Sequence, residues 1–291
     1  MKRIKQKAAD RLLGICFLSP SLIGVSIFFI LPFFVVIYYS VTEGVGYREF
    51  VWLENYSKLF QNSAFQLAAR NTATFSLSAV PLAVILSLAL AVMLEKHIPG
   101  QSFFRTTFLS PMMVPVVSIV LVWQIVFNYN GTLNETASLF GLDKTDWLSS
   151  PYCQVVIVAL FLWKNLGYNM ILFMAGLSNI PKEILEAASV DGASESYQFF
   201  HIKLRYLSST ILFVTVLSLI SSFKIFREVY LLTGDYPYEG LYTLQHFMNN
   251  TFRSLDYQKL CSAAVIMAIV IVAIIAVLFR LEEHYGKDLD G

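Results

Sequence analysis

LLGICFLSPSLIGVSIFFILPFFVVIYYSV, residues 12–41, runs for 30 residues without one charged side chain. A helix of about 20 apolar residues crosses the ~30 Å hydrocarbon layer of a bilayer. Lys2, Arg3, Lys5, Lys7 and Arg11 precede the run, as the basic segment of a secretory signal would. A cleaved signal, however, has an apolar core of roughly 7–15 residues and a small-residue cleavage site. The length of this run predicts a retained first membrane span, broken only by Pro20 and Pro32.

The rest of the chain follows the same pattern. Its 291 residues are 56% hydrophobic and 14% charged, with a mean hydropathy of +0.62. Soluble domains carry about 25% charged residues, so the composition excludes both a disordered chain and an ordinary soluble enzyme. A net charge of +1 gives no general electrostatic case for nucleic acid as a partner. Five more apolar stretches follow, at residues 71–94, 106–127, 152–177, 206–226 and 260–279. Backbone groups cannot stay unpaired in lipid, so the expected fold is an all-α membrane protein with six transmembrane helices. Pro81, Pro111 and Pro115 each remove a backbone donor within a span. Gly167 and Gly176 allow close helix approach in the fourth. Asp and Glu are missing from all six assigned stretches.

Basic residues set the orientation. Pieces 1–11, 95–105, 179–205 and 280–291 hold 12 Lys and Arg in 61 positions. Pieces 42–70, 128–151 and 227–259 hold 7 in 86 positions. Both termini are therefore expected in the cytoplasm: a tail at 1–11, a six-span domain at 12–280, and a second tail at 281–291.

The loop between the fourth and fifth spans reads SNIPKEILEAASVDGA, residues 178–193. Pro181 suits the start of a helix, and Gly192 suits the position just past its end. The framed helix of about ten residues is too short to stand alone in water. Ile184, Ala187 and Ala188 are expected on one face, with Lys182, Glu183 and Glu186 largely on another. After Gly192, a helical stripe of Tyr197, Phe200, Leu204 and Leu207 runs into the fifth span. Such a helix suits a groove in another protein. The alternative, a helix lying on the bilayer, fits poorly with four acids against three basic residues.

At these residues the chain resembles the permeases of ABC importers, whose "EAA" loop matches Glu186–Ala187–Ala188, Gly192 and Ile202–x–Leu204. It is similar above all to sugar permeases of the maltose-transporter type, over roughly residues 12–280. Trp163, Gly167, Ala175–Gly176–Leu177, Ile180–Pro181 and Asp191–Gly192–Ala193 carry that similarity. So do Phe103–Phe104–Arg105 with Pro111 and Pro115, and Phe223–Lys224–Ile225–Phe226 ahead of Thr233–Gly234. Two features depart from the pattern. Arg205 stands where the family has proline, so the helix is expected to continue into the fifth span. The glycine-rich stretch after Thr233 reads Gly234–Asp235–Tyr236–Pro237.

The resemblance implies a transport subunit rather than an enzyme, resident in a bacterial cytoplasmic membrane. Its expected partners are a second permease (a heterodimer), two ATP-binding subunits and an extracytoplasmic solute-binding protein. The chain would bind no cofactor, with ATP and Mg held by the ATPase. The loop would be a coupling helix, with Glu183, Glu186, Ala187, Ala188, Asp191, Gly192 and Ala193 forming the contact with that subunit. The cargo would be a sugar, an oligosaccharide or a related solute.

Polar groups within the spans are candidates for the substrate path. An unpaired Lys at mid-membrane costs ~2.5–3.5 kcal/mol on insertion scales, so Lys164 is expected to face the bundle interior. With Asn165, Tyr168 and Asn169 it forms a polar arc that suits either sugar hydroxyls or interhelical hydrogen bonding. Lys224 is spaced to pair with Glu228 on one helix face. It is either a further pathway group, which would select an acidic saccharide, or a snorkelling side chain. Trp123, Tyr129 and Trp147 suit sugar stacking or an interfacial belt.

The rival reading is an ion-gradient-driven transporter or channel subunit. An intramembrane enzyme ranks third: the sequence has no phosphate loop of the G-x-x-x-x-G-K-[ST] kind, no H-E-x-x-H and no G-x-S-x-G. His97, His201, His246 and His284 lack metal-ligand spacing. Cys16, Cys153 and Cys261 read as small apolar side chains.

Overall fold

The computed structural model describes residues 2–44, 49–95 and 99–286, with side chains described between 14 and 283. His97 and the end of the second tail lie outside the described residues, as do the side chains of His284 and of the basic residues at 2–11. Among the described residues, six stretches are long and apolar enough to cross a membrane: Gly14–Ser40, Ser63–Glu95, Val116–Leu139, Cys153–Ser178, Ser208–Thr233 and Tyr257–Glu283. The described fold is all-α apart from one two-residue strand pair.

The chain forms two compact units. The first comprises residues 1–62 and 251–269. Its helices α1 (Lys2–Val25) and α2 (Leu31–Ser40) are joined by one wider turn at Ser26–Ile30 and continue through Pro20 and Pro32. Strands β1 (Thr42–Glu43) and β2 (Glu49–Phe50) pair antiparallel, with Thr42 opposite Phe50. Helix α3 (Glu54–Gln61) follows. The buried Asn55 side chain donates to the carbonyls of Ser40 and Thr42, at 3.1 and 3.0 Å. The Ser40 carbonyl is an acceptor that the end of α2 leaves without an intrahelical donor.

The second unit comprises residues 63–250 and 270–291. Helix α4 (Ser63–Glu95) accommodates Pro81 without interruption. The third apolar stretch is not one helix: α5 (Gln101–Met113) and α6 (Val116–Phe127) are separated at Val114–Pro115. Pro115 has no N–H to donate, and it disfavours helical geometry in the residue before it; Val114 is extended. A short helix α7 (Thr132–Leu139) then precedes α8 (Cys153–Ser178).

After α8 come α9 (Lys182–Val190), α10 (Glu195–Gln198), a wider turn at Phe199–Lys203, and α11 (Leu204–Tyr206). Helices α12 (Ser208–Phe223) and α13 (Phe226–Thr233) together make the fifth candidate span. Residues 244–250 of α14 (Leu244–Arg253) belong to this unit, and α15 (Tyr257–Gly286) is divided between the two. With Arg205 in place of proline, Leu207 N–H bonds the Lys203 carbonyl and Ile211 N–H bonds that of Leu207. The chain thus passes helically into α12.

Two apolar clusters form the core of this unit. One gathers Phe75, Phe161, Ile225 and Leu241; the other gathers Leu94, Phe173, Leu177, Ile180, Leu207 and Val214. On α8 the first cluster ends at Phe161 and the second begins at Met170. Residues Lys164 to Asn169 lie between, which leaves a polar layer across an otherwise apolar helix.

Gly167 sits in that layer and sets the spacing of α5 and α8. A Cβ at this position would stand 1.9 Å from the Phe108 carbonyl oxygen. The obstacle is backbone, so no rotamer change relieves it. Overpacked cores ordinarily lose about 1–3 kcal/mol, and this clash exceeds the ordinary case. Gly167→Leu is expected to yield almost no monodisperse protein on size-exclusion chromatography. Gly176→Ala meets only the side-chain ends of Leu207 and Thr210, at 2.7 and 2.8 Å. It should remain recoverable, and equal yields of the two variants would contradict this packing.

Candidate functional site

Two features of the second unit carry candidate function. The first is α9. Pro181 stands one residue ahead of it with extended backbone, and Glu183 lies in its first turn, where an acid complements the helix dipole. The helix ends in a Schellman motif: Ala193 N–H reaches the Ala188 carbonyl at 2.9 Å, and Gly192 N–H reaches that of Ser189 at 3.1 Å. The motif requires a left-handed residue, and Gly192 supplies it at φ +79°. Ser194 then caps α10 by accepting from Tyr197 N–H. Gln198 bridges the turn, donating to the Ser189 hydroxyl at 3.0 Å and to the Ala193 carbonyl at 3.1 Å.

Leu185 anchors the helix by packing on the cluster of Leu177, Ile180 and Leu207. Lys203 pairs with Glu95 at 2.7 Å, which fastens the loop to the end of α4. Ala188 is half-buried, whereas Ala187 is exposed. That corrects the expected apolar face: Leu185 rather than Ala187 accompanies Ile184 and Ala188 inward. No residue of α9 is fully buried. Glu183, Glu186, Ala187, Asp191 and Gly192 are exposed, Ala193 is half-buried, and Val190 is 88% exposed.

The second feature is a cavity of about 590 Å³ between α5, α8, α12, α13 and α14. Lys164, Asn165, Tyr168, Asn169 and Lys224 all line it, so the five candidate pathway residues come together. Ser221, Arg227, Glu228 and Gln245 join them. Lys164 donates to the Glu228 carboxylate. The two side chains are 24% and 4% exposed. This corrects the expected Lys224–Glu228 pair. Helix α12 ends at Phe223, and Lys224 N–H and Ile225 N–H close tight turns on Ser221 and Ser222 before α13 begins. The buried carboxylate takes the ammonium that is itself largely removed from water, while Lys224 stays exposed.

A second correction follows. The fifth candidate span extends to Thr233, so Glu228 is an acid within a span. The apolar stretch read from the sequence stops at Phe226, just ahead of Arg227 and Glu228. Asn169 is buried and donates to the Ser218 hydroxyl at 2.9 Å, and Asn165 donates to the Phe161 carbonyl at 2.8 Å. Asn169 thus makes an interhelical hydrogen bond to α12 and Asn165 one within α8, while both residues still line the cavity. Gln245 carries no sequence signal at all, because α14 is amphipathic and lies outside the six stretches.

Three aromatic candidates lie toward the other end of α6. Trp123 stacks on Phe127 at 5.0 Å, and Phe127 meets Trp147 edge-on at 6.3 Å. The Trp147 ring N–H donates to the buried Asn134. Tyr129 faces the Lys144 ammonium at 5.9 Å. His246 is fully buried beside Phe226 and accepts through Nδ1 from Thr243. Burial pushes its pKa down to about 4, so the ring is neutral at physiological pH. The three cysteines form no disulfide.

Residues 79–290 match the family described as binding-protein-dependent transport system inner membrane component. The chain is 30% identical to the probable ABC transporter permease protein YesP of Bacillus subtilis, over 98% of this chain and 95% of that protein. It is 29% identical to the trehalose/maltose transport system permease protein MalF of Thermococcus litoralis, over 98% of each chain. The fold matches a bacterial ABC transporter involved in the import of the acidic polysaccharide alginate, with a TM-score of 0.81 and 20% identity over 97% of this chain and 99% of that one. A family match over more than two thirds of the chain, on a six-span fold, makes this protein a member of the binding-protein-dependent transport system inner membrane components.

Proposed function

We propose that this chain is the membrane-spanning permease of an ATP-driven importer for a sugar, an oligosaccharide or a related solute. It sits in a bacterial cytoplasmic membrane with both termini inside, a reading supported by the distribution of Lys and Arg. Its partners are a second permease, two ATP-hydrolysing subunits and an extracytoplasmic binding protein. ATP and Mg belong to the ATPase subunits. The observation that carries the reading is α9: a short helix anchored by Leu185, with Glu183, Glu186, Ala187 and Val190 left exposed. In this reading α9 is the coupling helix and docks in a groove of the ATPase. Glu186 meets a basic group there, and Ala187 and Ala188 permit close approach.

ATP binding draws the two ATPases together, and α9 carries that displacement to α8 and α12. The cavity containing Lys164, Asn165, Tyr168, Asn169 and Lys224 is then the solute path, with amides and hydroxyls suited to sugar hydroxyl groups. The test is a pull-down of the tagged chain from native membranes in mild detergent, with co-purifying chains identified by mass spectrometry. A phosphate-loop ATPase and a second six-span chain are expected. Recovery of the chain alone, or only as a homo-oligomer, would sink the importer reading.

A further inference from the structure

We infer that the solute carried through this cavity is an anionic saccharide, one bearing a carboxylate or a phosphate ester. The inference rests on the importer reading and adds the charge of its cargo. Lys164, Lys224 and Arg227 line the cavity against one acid, Glu228. Glu228 is spent on Lys164. Neither Lys224 nor Arg227 has an acidic partner among the described residues, and both are exposed. The cavity therefore presents two cations, three residues apart at the junction of α12 and α13, beside neutral hydrogen-bonding groups.

Snorkelling accounts for one long cation at a membrane interface. It does not account for two that flank a cavity whose other polar groups are Asn165, Tyr168, Asn169, Ser221 and Gln245. Concave walls of low dielectric focus the field of such a pair, which raises the local concentration of an anion. Arginine grips a carboxylate or phosphate through two parallel bonds, and lysine adds a point charge. The amides and hydroxyls suit the ring hydroxyls of the same molecule. A neutral sugar would use those groups and leave both cations unanswered.

The test uses the complete assembly purified from its membrane and reconstituted in lipid nanodiscs, with its subunits first identified by mass spectrometry. Three probes are titrated by calorimetry: trigalacturonate, its neutral counterpart galactotriose, and glucose 6-phosphate. At least one anionic probe is expected to bind about tenfold or more tighter than galactotriose, the scale of a charge-assisted hydrogen bond. The preference should shrink in 0.5 M NaCl. Trigalacturonate alone marks a carboxylate reader, and glucose 6-phosphate alone a phosphate reader.

Lys224→Gln and Arg227→Gln should each remove most of that preference, and Arg227→Lys should restore part of it. Subunit composition and elution volume show whether each variant is still assembled. Binding of galactotriose as tight as that of the tighter anion overturns the inference, as does binding of neither anion, or an unchanged preference in both glutamine variants. An assembly without an ATPase would instead overturn the importer reading, which separates the two failures.

Discussion

Replacing Glu186 with Lys is expected to bring solute uptake down to background while leaving the chain folded and inserted. The side chain is exposed on α9 and no described residue of this chain pairs with it. Exposed substitutions away from caps and cores usually change stability by less than about 0.5 kcal/mol. The effect is therefore expected at the docked ATPase. Removing one member of a desolvated charge pair costs about 2–5 kcal/mol, because the other charge is left unanswered, and reversing the sign adds repulsion. A loss of 3 kcal/mol is roughly a hundredfold in affinity. The measurements are uptake in cells, co-purification of the ATPase, and the thermal midpoint of the isolated chain. Normal uptake would remove Glu186 from the coupling role. A lowered midpoint would show that the acid serves the fold instead.

The second large effect concerns Lys164 and Glu228. Lys164→Leu leaves a carboxylate that is 4% exposed without the cation that pairs with it. Breaking one side of such a pair costs about 3–5 kcal/mol, whereas replacing both members with apolar groups is often neutral. Lys164→Leu alone should thus lower the denaturation midpoint sharply, and Lys164→Leu with Glu228→Leu should recover most of the loss. The double-mutant cycle isolates the coupling. A double variant as unstable as the worse single one would mean that each charge matters through other contacts. The same pair bears on the rival mode of transport: an acid within a span is the usual mark of ion coupling, but here the acid is held by a cation of the same unit.

The sequence made local features legible. The ends of α8 and α9, the glycine at the C-terminal turn and the close approach at Gly167 depend on residues within a few positions, or on one residue's size. What it concealed depends on distant partners. Glu228 lies 64 positions from Lys164, and Glu95 lies 108 from Lys203. Local spacing favoured Lys224 for the first pair, and the break between α12 and α13 decided otherwise. Pro115 stood out from Pro81 and Pro111 by nothing local: each lacks the same donor, yet α4 runs unbroken through Pro81 while the third stretch divides at Pro115. Gln245 enters the cavity from a helix that hydropathy does not single out.

The contact at Gly167 also constrains how any opening can occur. Side chains that interdigitate leave rotamers to exchange, so two helices so packed have room to slide. Here the surfaces meet with the Phe108 carbonyl seated where a Cβ would be, and no such exchange is open to them. Helices α5 and α8 must then travel as one strut, and the angular freedom for widening the path has to come from joints elsewhere. The chain interrupts its helices at two places beside that strut, Val114–Pro115 and Lys224–Ile225. The second joint carries one of the cavity's cations, so a pivot there would reorient the wall that faces the solute.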